Sequence, residues 1–237
     1  ALPISQTMNV MQSTAAAAER VFEFLAEEEE VAETKTPQPI AAPDGKSLID
    51  GMVTFENVHF GYTPDKIIIN DFSMYINAGK RVAIVGPTGA GKTTIVKLLM
   101  RFYELNSGTI YVDGCDIRQF SRSDLRSLFG MVLQDAWLFN GTIMENLRYG
   151  RLDATDEEVM AAADAAYVDH FIRTLDHGYD TMIDEESSNI SQGQKQLLTI
   201  ARAFLADPKI LILDEATSSV DTRTEVLIQK GMEKLME

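Results

Sequence analysis

The sequence has little cysteine, few basic residues and no long apolar run. A single cysteine, Cys115, excludes an internal disulfide, and no histidine or second cysteine lies close enough along the chain to suggest a metal site with it. We therefore expect a reducing, cytoplasmic environment. Lysine and arginine number 21 against 36 aspartate and glutamate, and the formal net charge of -15 disfavours binding to nucleic acid. No stretch reaches the roughly 18 to 20 apolar residues that span a bilayer. We expect any membrane to be reached through a partner or through a segment outside these residues.

What the sequence does contain is enough apolar material for a core. At 45% hydrophobic residues over 237 positions, the chain can form one large domain or one domain with an inserted lobe. Apolar residues recur at steps of four and three from Ile4 to Leu25, which predicts an amphipathic helix within residues 1–30. Its apolar face needs a partner, either on the domain's own surface or on a helix outside this chain. Three prolines and a glycine in TKTPQPIAAPDGK then predict a linker over residues 31–47.

Residues 48–237 have the patterns of an α/β domain. VTFENVHF and FSMYI alternate apolar and polar residues and are predicted to be antiparallel strands. RVAIV and KILILD are continuous apolar runs, as expected for strands buried on both faces of a parallel sheet, and GMVLQ is a further expected strand. The stretch from about residue 135 to 190 is mostly helical in pattern, with Thr155 as an N-cap three residues before Glu158. We interpret it as a helical lobe inserted into an α/β core.

The segment GPTGAGKTT matches the pattern GxxxxGK[ST] and stands between RVAIV and the helical TTIVKLLMRF. Its glycines let the backbone wrap a phosphate with converging N–H groups, and the following helix directs its positive end at the anion. Lys92 is expected to reach the β and γ phosphates, Thr93 to place its hydroxyl on magnesium, and Thr94 to contact phosphate. The alternative is a glycine-rich turn that only joins strand to helix. The predicted phosphate-binding residues are Gly86, Pro87, Thr88, Gly89, Ala90, Gly91, Lys92, Thr93 and Thr94.

An acidic pair, Asp214 and Glu215, ends the apolar run KILILDE. The carboxyl edge of a buried strand is where open α/β sheets bind their ligands. Asp214 is suited to hold magnesium through water, and Glu215 can polarise the attacking water as general base. Such a pair alone is more often a solvated turn. The GPTGAGKTT loop on a neighbouring strand favours the catalytic interpretation, because magnesium phosphate needs a carboxylate partner there.

Beyond this loop, ISQGQKQLLTIARAFLADPKILILDEATSSVD resembles the signature, Walker B and D-loop block of the ABC ATPases, and the resemblance extends from Met52 to the end of the chain. It implies a P-loop NTPase core with a mostly parallel sheet, an N-terminal antiparallel β subdomain and an inserted α-helical subdomain. ISQGQ departs from the commoner LSGGQ, since Gln192 replaces a glycine and Ile190 a leucine. Ser191 and Gly193 remain.

The resemblance also implies roles for single residues. The helix opened by Ser191, Gly193 and Gln194 would bind, at its positive N-terminus, the γ-phosphate of ATP held by an opposite subunit, so that ATP joins two domains head to tail. Trp137 and Phe139 would either line a groove for a transmembrane partner's coupling helix or belong to the core. Three further residues take family roles: adenine stacking for Tyr62, contact with magnesium and the attacking water for Gln134, and communication across the dimer for Asp221.

Two departures from the family pattern affect what we expect. In IDEESSN, Asp184 and Glu186 stand where exporters often carry glycines. The family's switch histidine is expected one strand after the helix that follows the D-loop, and the chain stops at Glu237, before that strand. We therefore expect a fragment of a longer polypeptide with its C-terminal strands missing. AAAAERVFEFLAEEEE is similar to the cytoplasmic end of the last transmembrane helix in exporters whose membrane and motor domains are fused.

The leading hypothesis is an ATP-hydrolysing motor domain of an ABC exporter at the cytoplasmic face of the cell membrane. It would use ATP and Mg²⁺, pair with a second nucleotide-binding domain, and work on a transmembrane domain fused upstream. One alternative is a regulatory or structural module that dimerises on ATP with negligible turnover; Glu215 disfavours it and the absent histidine favours it. A soluble ABC ATPase of DNA repair or chromosome organisation lacks support, since there is no long coiled coil and the charge is acidic. An importer ATPase made as a separate chain would not need the N-terminal helix and linker.

Overall fold

The computed structural model describes residues 2–42, 46–63, 65–133, 136–183, 190–213 and 222–235. The chain divides into two compact units, Ala1–Glu33 and Thr34–Glu237. The first unit contains helix α1, Leu2–Ala26, which confirms the predicted helix. Met8, Met11 and Phe22 are exposed on it. The helix ends directly before the acidic run EEEE, whose negative charge is unfavourable at a helix C-terminus. In the ranges given above, no helix combines the length and the apolar character needed to cross a membrane.

The second unit combines short strands with helices. In chain order they are β1 Val53–Phe60, β2 Ile69–Ile76, α2 Lys92–Leu99, β3 Ser107–Val112, β4 Cys115–Asp116, α3 Arg122–Ser127, β5 Phe129–Val132, β6 Gly141–Thr142, α4 Ile143–Arg148, α5 Asp156–Ala165, α6 Asp169–Arg173, β7 Met182–Ile183, α7 Gln192–Ala206, β8 Ile210–Leu213 and α8 Thr222–Leu235. The described residues of the segment predicted as a linker form no helix, and those from Thr34 onward belong to this unit, where Gln38 N donates a hydrogen bond to Gln119 O at 2.8 Å.

An antiparallel sheet in the order β2-β1-β3-β4 forms one part of this unit. β1 lies between β2 and β3, with Phe55 opposite both Met74 and Ile110. The side chains of β1 alternate between buried and less buried positions along its first half, as its alternating sequence requires. The predictions for VTFENVHF and FSMYI are confirmed. The buried face of this sheet packs against α2 through residues such as Leu98.

A short parallel sheet is formed by β5 and β8, with Gly130 opposite Leu211 and Val132 opposite Leu213. The predictions of strands at GMVLQ and KILILD are therefore confirmed, but the residues of β8 are half-buried and not buried on both faces as predicted. Gly130 is required by packing, since a Cβ there would lie 2.4 Å from Cγ of Pro208.

The prediction of a buried strand at RVAIV is wrong for this structure. Residues 81–85 belong to no strand and are exposed, with Val82 at 49%, Ile84 at 39% and Val85 at 87% exposure. An apolar run becomes a buried strand only where neighbouring strands satisfy its backbone N–H and C=O groups and helices cover its faces. Among the described residues, the parallel sheet consists of β5 and β8 alone, and neither pairs with this run.

Helices α4, α5 and α6 occupy the stretch that was predicted to be helical, and they surround a second apolar core with α7. Ile143, Val159 and Leu198 are fully buried in this core. The N-cap prediction is confirmed: Thr155 Oγ1 accepts from Glu158 N at 3.3 Å, and Thr155 N donates to Glu158 Oε2 at 2.8 Å. This lobe positions α7, whose N-terminus carries predicted site residues.

Candidate nucleotide-binding site

The GPTGAGKTT segment forms a loop that leads directly into α2. Gly89 has φ 83° and Gly91 has φ 89°, a left-handed backbone that glycine adopts without strain. At Gly91, which caps α2, a Cβ would also lie 2.8 Å from Cδ1 of Ile69 on β2. Ala90 N donates to Pro87 O at 3.1 Å and closes the turn. The glycine spacing is therefore demanded by backbone conformation and by the close approach to β2.

Lys92, the first residue of α2, folds back over this loop. Its Nζ donates to Gly86 O at 2.7 Å and to Pro87 O at 3.1 Å. Residues 86–90 are exposed, so solutes reach the loop freely. The loop thus presents an ammonium group beside the N-terminus of a helix, an arrangement that attracts anions.

The two threonines after Lys92 differ in environment. Thr93 is exposed, whereas Thr94 is buried at 6% exposure. The hydroxyl groups of Thr94 and Tyr62 lie 3.2 Å apart and form a hydrogen bond. The structure therefore brings together two predicted site residues that the sequence separates by 32 positions.

Tyr62 lies between two other aromatic rings. Its ring centroid is 5.0 Å from that of Phe60 at an interplanar angle of 85°, and 5.0 Å from that of Tyr103 at 80°. Tyr62 remains 47% exposed, so it is not a core residue and has ring surface available for a ligand. Tyr103 was not predicted from the sequence. No periodicity marks it, because it lies in a connection between α2 and β3.

Gln134, Asp214, Glu215 and Asp221 lie outside the described residues, as do Asp184 and Glu186. The strands that precede Gln134 and Asp214 end together, since Val132 pairs with Leu213 in parallel register. Within the described ranges, no group of three acidic, histidine or cysteine side chains could hold a metal. Thr93 is the one predicted magnesium ligand that the structure describes, and its exposed hydroxyl is an oxygen donor of the kind that Mg²⁺ accepts.

The other predicted phosphate contact is the N-terminus of α7. Ser191 is its N-cap, with Oγ accepting from Gln194 N at 3.3 Å, while Gln194 Oε1 accepts from Ser191 N at 2.8 Å. This capping box satisfies the N–H of Gln194 and leaves the first-turn N–H groups of Gln192 and Gly193 without acceptors inside the helix. Ser191 and Gln192 are exposed and Gly193 is buried, so the positive end reaches solvent at its first two residues.

A buried glutamine connects α7 to the segment that precedes Gln134. Gln196 is 1% exposed, and its Nε2 donates to Leu133 O at 3.0 Å. The sequence carries a signal of this contact, because Gln196 interrupts the apolar face formed by residues such as Leu197 and Ile200. A polar side chain on the buried face of a helix needs a hydrogen-bond partner.

Arg202 connects the same helix to three aromatic residues. Its guanidinium lies 5.9 Å from the ring centroids of Trp137 and Phe139 and 5.6 Å from that of Tyr149. Burial lowers the pKa of Arg202 to about 10, so it stays protonated at neutral pH. Trp137 is 58% exposed and Tyr149 59%, so the interpretation of Trp137 as a core residue does not apply. We call Trp137, Phe139, Tyr149 and Arg202 the Arg202 cluster.

The loop, its lysine and the neighbouring helix N-terminus define a P-loop nucleotide-binding domain with an antiparallel β subdomain and a helical lobe. A family model described as ABC transporter matches residues 69–218, more than half of the chain. The chain belongs to the ABC transporter family.

Named relatives agree with this assignment. The chain is 55% identical over 237 residues to the fatty acid ABC transporter ATP-binding/permease protein of Mycobacterium tuberculosis, covering 99% of this chain and 36% of that protein. It is 48% identical over 197 residues to the mitochondrial iron-sulfur clusters transporter atm1 of Aspergillus fumigatus, covering 82% of this chain and 27% of that protein. A solved bacterial Atm1-family ABC exporter with ATP bound matches with a TM-score of 0.80 and 42% identity, over 96% of this chain and 39% of that one. The chain thus spans 36% and 27% of the length of these two curated relatives.

These comparisons confirm the predicted family and fold class.

Proposed function

We propose that this chain is the ATP-hydrolysing motor domain of an ABC exporter. The observation that carries the proposal is the P-loop, where Lys92 and the N-terminus of α2 meet at an exposed loop whose glycines adopt left-handed backbone. This geometry is suited to polyphosphate, because the ammonium group of Lys92 lies at the N-terminus of α2, where the helix carries partial positive charge. The exposed Tyr62 beside Thr94 adds an aromatic surface for the adenine base.

Each role in ATP hydrolysis would be taken by particular residues of this chain. Lys92 would leave its two carbonyl partners and bind the β and γ phosphates. Thr93, Gln134 and Asp214 would hold Mg²⁺, which when bound neutralises charge that develops on the phosphate oxygens. Glu215 would orient and polarise the attacking water as general base. The common end of β5 and β8, with Val132 opposite Leu213, supports a shared location for Gln134 and the acidic pair.

Ser191, Gly193 and Gln194 would complete a site on a second copy of the domain. At the N-terminus of α7, Ser191 and Gln192 are exposed, and the first-turn N–H groups have no acceptors inside the helix, which is the chemistry that binds an anion brought by another subunit. ATP would then join two domains head to tail, with Asp221 at the contact between them.

Two observations support a membrane partner. The relative from Mycobacterium tuberculosis is named an ATP-binding/permease protein and is much longer than this chain. The exposed rings of Trp137 and Tyr149 in the Arg202 cluster offer a docking surface for a coupling helix. We therefore place the domain at the cytoplasmic face of a membrane, with a transmembrane domain in the same polypeptide.

Steady-state phosphate release by the protein that contains this domain tests the assignment, with Glu215→Gln as the central variant. We expect this variant to bind ATP as the wild type does. Its rate of phosphate release should be at most about one hundredth of the wild-type rate, because a general base contributes about that factor. Glu157→Gln is the matched control, since Glu157 is an exposed carboxylate on α5. It should keep the wild-type rate.

Equal rates for Glu215→Gln and the wild type would refute the assignment of the base. ATP binding by the wild type without phosphate release would favour the regulatory dimerisation module instead. Light scattering of this chain carrying Glu215→Gln, with and without ATP, measures the expected dimer of two domains. A molar mass unchanged by ATP would refute head-to-tail pairing.

A further inference from the structure

Tyr103 contacts Tyr62, although the two residues lie far apart in the sequence. The two ring centroids are 5.0 Å apart and the rings are almost perpendicular, at 80°. Phe60 contacts both of them, at 5.0 Å from Tyr62 and 5.7 Å from Tyr103. Edge-to-face contacts of this kind prefer defined relative orientations of the rings. Tyr62 therefore has its orientation set by a buried ring on one strand and by a second tyrosine from another part of the chain.

The backbone that carries Tyr103 is itself fixed. Helix α2 ends in a Schellman motif, in which Arg101 has φ 54° and donates its N–H to Leu98 O at 3.0 Å, and Phe102 N donates to Lys97 O at 2.9 Å. Tyr103 follows this motif directly. Its ring also lies 6.0 Å from Nζ of Lys97 on the last turn of α2. Because the capped end of α2 fixes the backbone of Tyr103, the Tyr103 ring can restrict the orientation of the neighbouring Tyr62 ring.

Tyr62 is thus held at two ends of the P-loop helix. Its hydroxyl bonds to Thr94 near the N-terminus of α2, and its ring contacts Tyr103 just beyond the C-terminus. Tyr103 is 41% exposed, so it is not simply filling the core. A stacking ring that is already oriented loses less conformational freedom when a base binds than one that is free to rotate.

We propose that Tyr103 is a positioning residue for the nucleotide base, which acts by holding the Tyr62 ring in the orientation that stacks on adenine. This inference rests on the proposed function, because it assumes that the ligand at this site is ATP. It predicts a selective effect: loss of the Tyr103 ring weakens binding of a ligand with a base and leaves binding of the phosphate chain alone unchanged.

The experiment compares ATP with tripolyphosphate, each displacing a fluorescent ATP analogue from the purified chain. For Tyr103→Leu we expect the Kd of ATP to rise about fivefold, the magnitude of a lost aromatic pair. The Kd of tripolyphosphate should stay at the wild-type value, which also shows that the variant is folded around its P-loop. Tyr103→Phe keeps the ring and should restore ATP binding.

Two further variants sharpen the test. Phe102→Leu is the matched control, since Phe102 is an exposed neighbour whose ring contacts the Arg126 guanidinium; it should bind ATP as the wild type does. In a Tyr62→Leu background, Tyr103→Leu should cause no further loss, because its effect passes through Tyr62.

The inference is overturned if Tyr103→Leu binds ATP normally, if it loses ATP and tripolyphosphate to the same extent, or if its full effect persists without the Tyr62 ring. A wild-type chain that binds neither ligand would instead overturn the proposed function. The two failures are therefore distinguishable.

Discussion

Replacing Arg202 by methionine tests how firmly α7 is attached to the segment around Trp137. The guanidinium donates three hydrogen bonds of 2.6 Å, from Nε to Asn146 O, from Nη1 to Trp137 O and from Nη2 to Asn146 Oδ1. Asn146 Oδ1 keeps a second donor, Phe139 N at 3.1 Å, whereas the two carbonyls lose the donor that Arg202 supplies. At about 1 to 1.5 kcal/mol for each of the two carbonyls left without this donor, Arg202→Met should lower the free energy of unfolding by about 2 to 3 kcal/mol.

Arg202→Lys separates charge from geometry. A lysine keeps a positive charge, but its ammonium cannot reproduce the planar fork that reaches three acceptors and covers the rings. We expect Arg202→Lys to lower the free energy of unfolding by about 1 to 1.5 kcal/mol, because it restores one of the two hydrogen bonds to carbonyls. Arg151→Met is the matched control, since that side chain is 41% exposed and pairs only with an exposed partner; it should change stability by less than about 0.5 kcal/mol.

Urea unfolding measures these differences, and the protein supplies its own local probe. Trp137 is the single tryptophan of the chain and belongs to the Arg202 cluster, so its fluorescence reports on this contact, while circular dichroism reports on the helices as a whole. An unchanged midpoint and slope for Arg202→Met would refute the reasoning, and so would a loss of stability that leaves the Trp137 emission spectrum of the folded state unaltered.

Two other substitutions test the fold. Gly108→Ala should destabilise the protein by about 3 kcal/mol or more, because the φ of Gly108 is 85° and a Cβ would lie 2.3 Å from Asn57 O. Gly79→Ala is the control, since Gly79 also has positive φ but its Cβ would meet nothing within 4 Å. Thermal unfolding of both variants therefore separates the effect of the clash from the cost of positive φ. Hydrogen bonding from Arg173 holds the pKa of Asp169 below its usual value of 3.8, so this carboxylate stabilises the fold above that pH and the contribution is lost as pH falls through the lower, folded pKa. The stability difference between wild type and Asp169→Asn should therefore narrow from pH 5 to about pH 2, and a constant difference across an acid titration would contradict the assignment.

Features that depend on residues close in sequence were predictable. The P-loop and α2 follow from nine adjacent residues, and the capping boxes at Thr155 and Ser191 each follow from residues three positions apart. The structure of the exposed run RVAIV could not be predicted from residues close in sequence. Its composition suits a buried strand, but pairing is decided by other strands, and no local pattern records whether they are in place.

The contacts that organise the site were harder to predict because they are tertiary. Gln196 reaches a carbonyl 63 positions away, and Arg202 reaches Asn146 across 56 positions. Tyr103 meets Tyr62 only because β1 and the end of α2 lie side by side. In each case the residue type permits many partners, and only the fold selects one.

The resting contacts of Lys92 have a consequence for nucleotide affinity. The ammonium is already bound by two loop carbonyls, so a phosphate does not meet a bare charge but must displace an existing set of interactions. The free energy of binding is then a difference between two satisfied states, and it is smaller than the strength of the lysine–phosphate contact alone. In the proposed motor, such a competitor within the loop would favour product release, because the same carbonyls that oppose the entry of nucleotide would bind the lysine again as the phosphates depart.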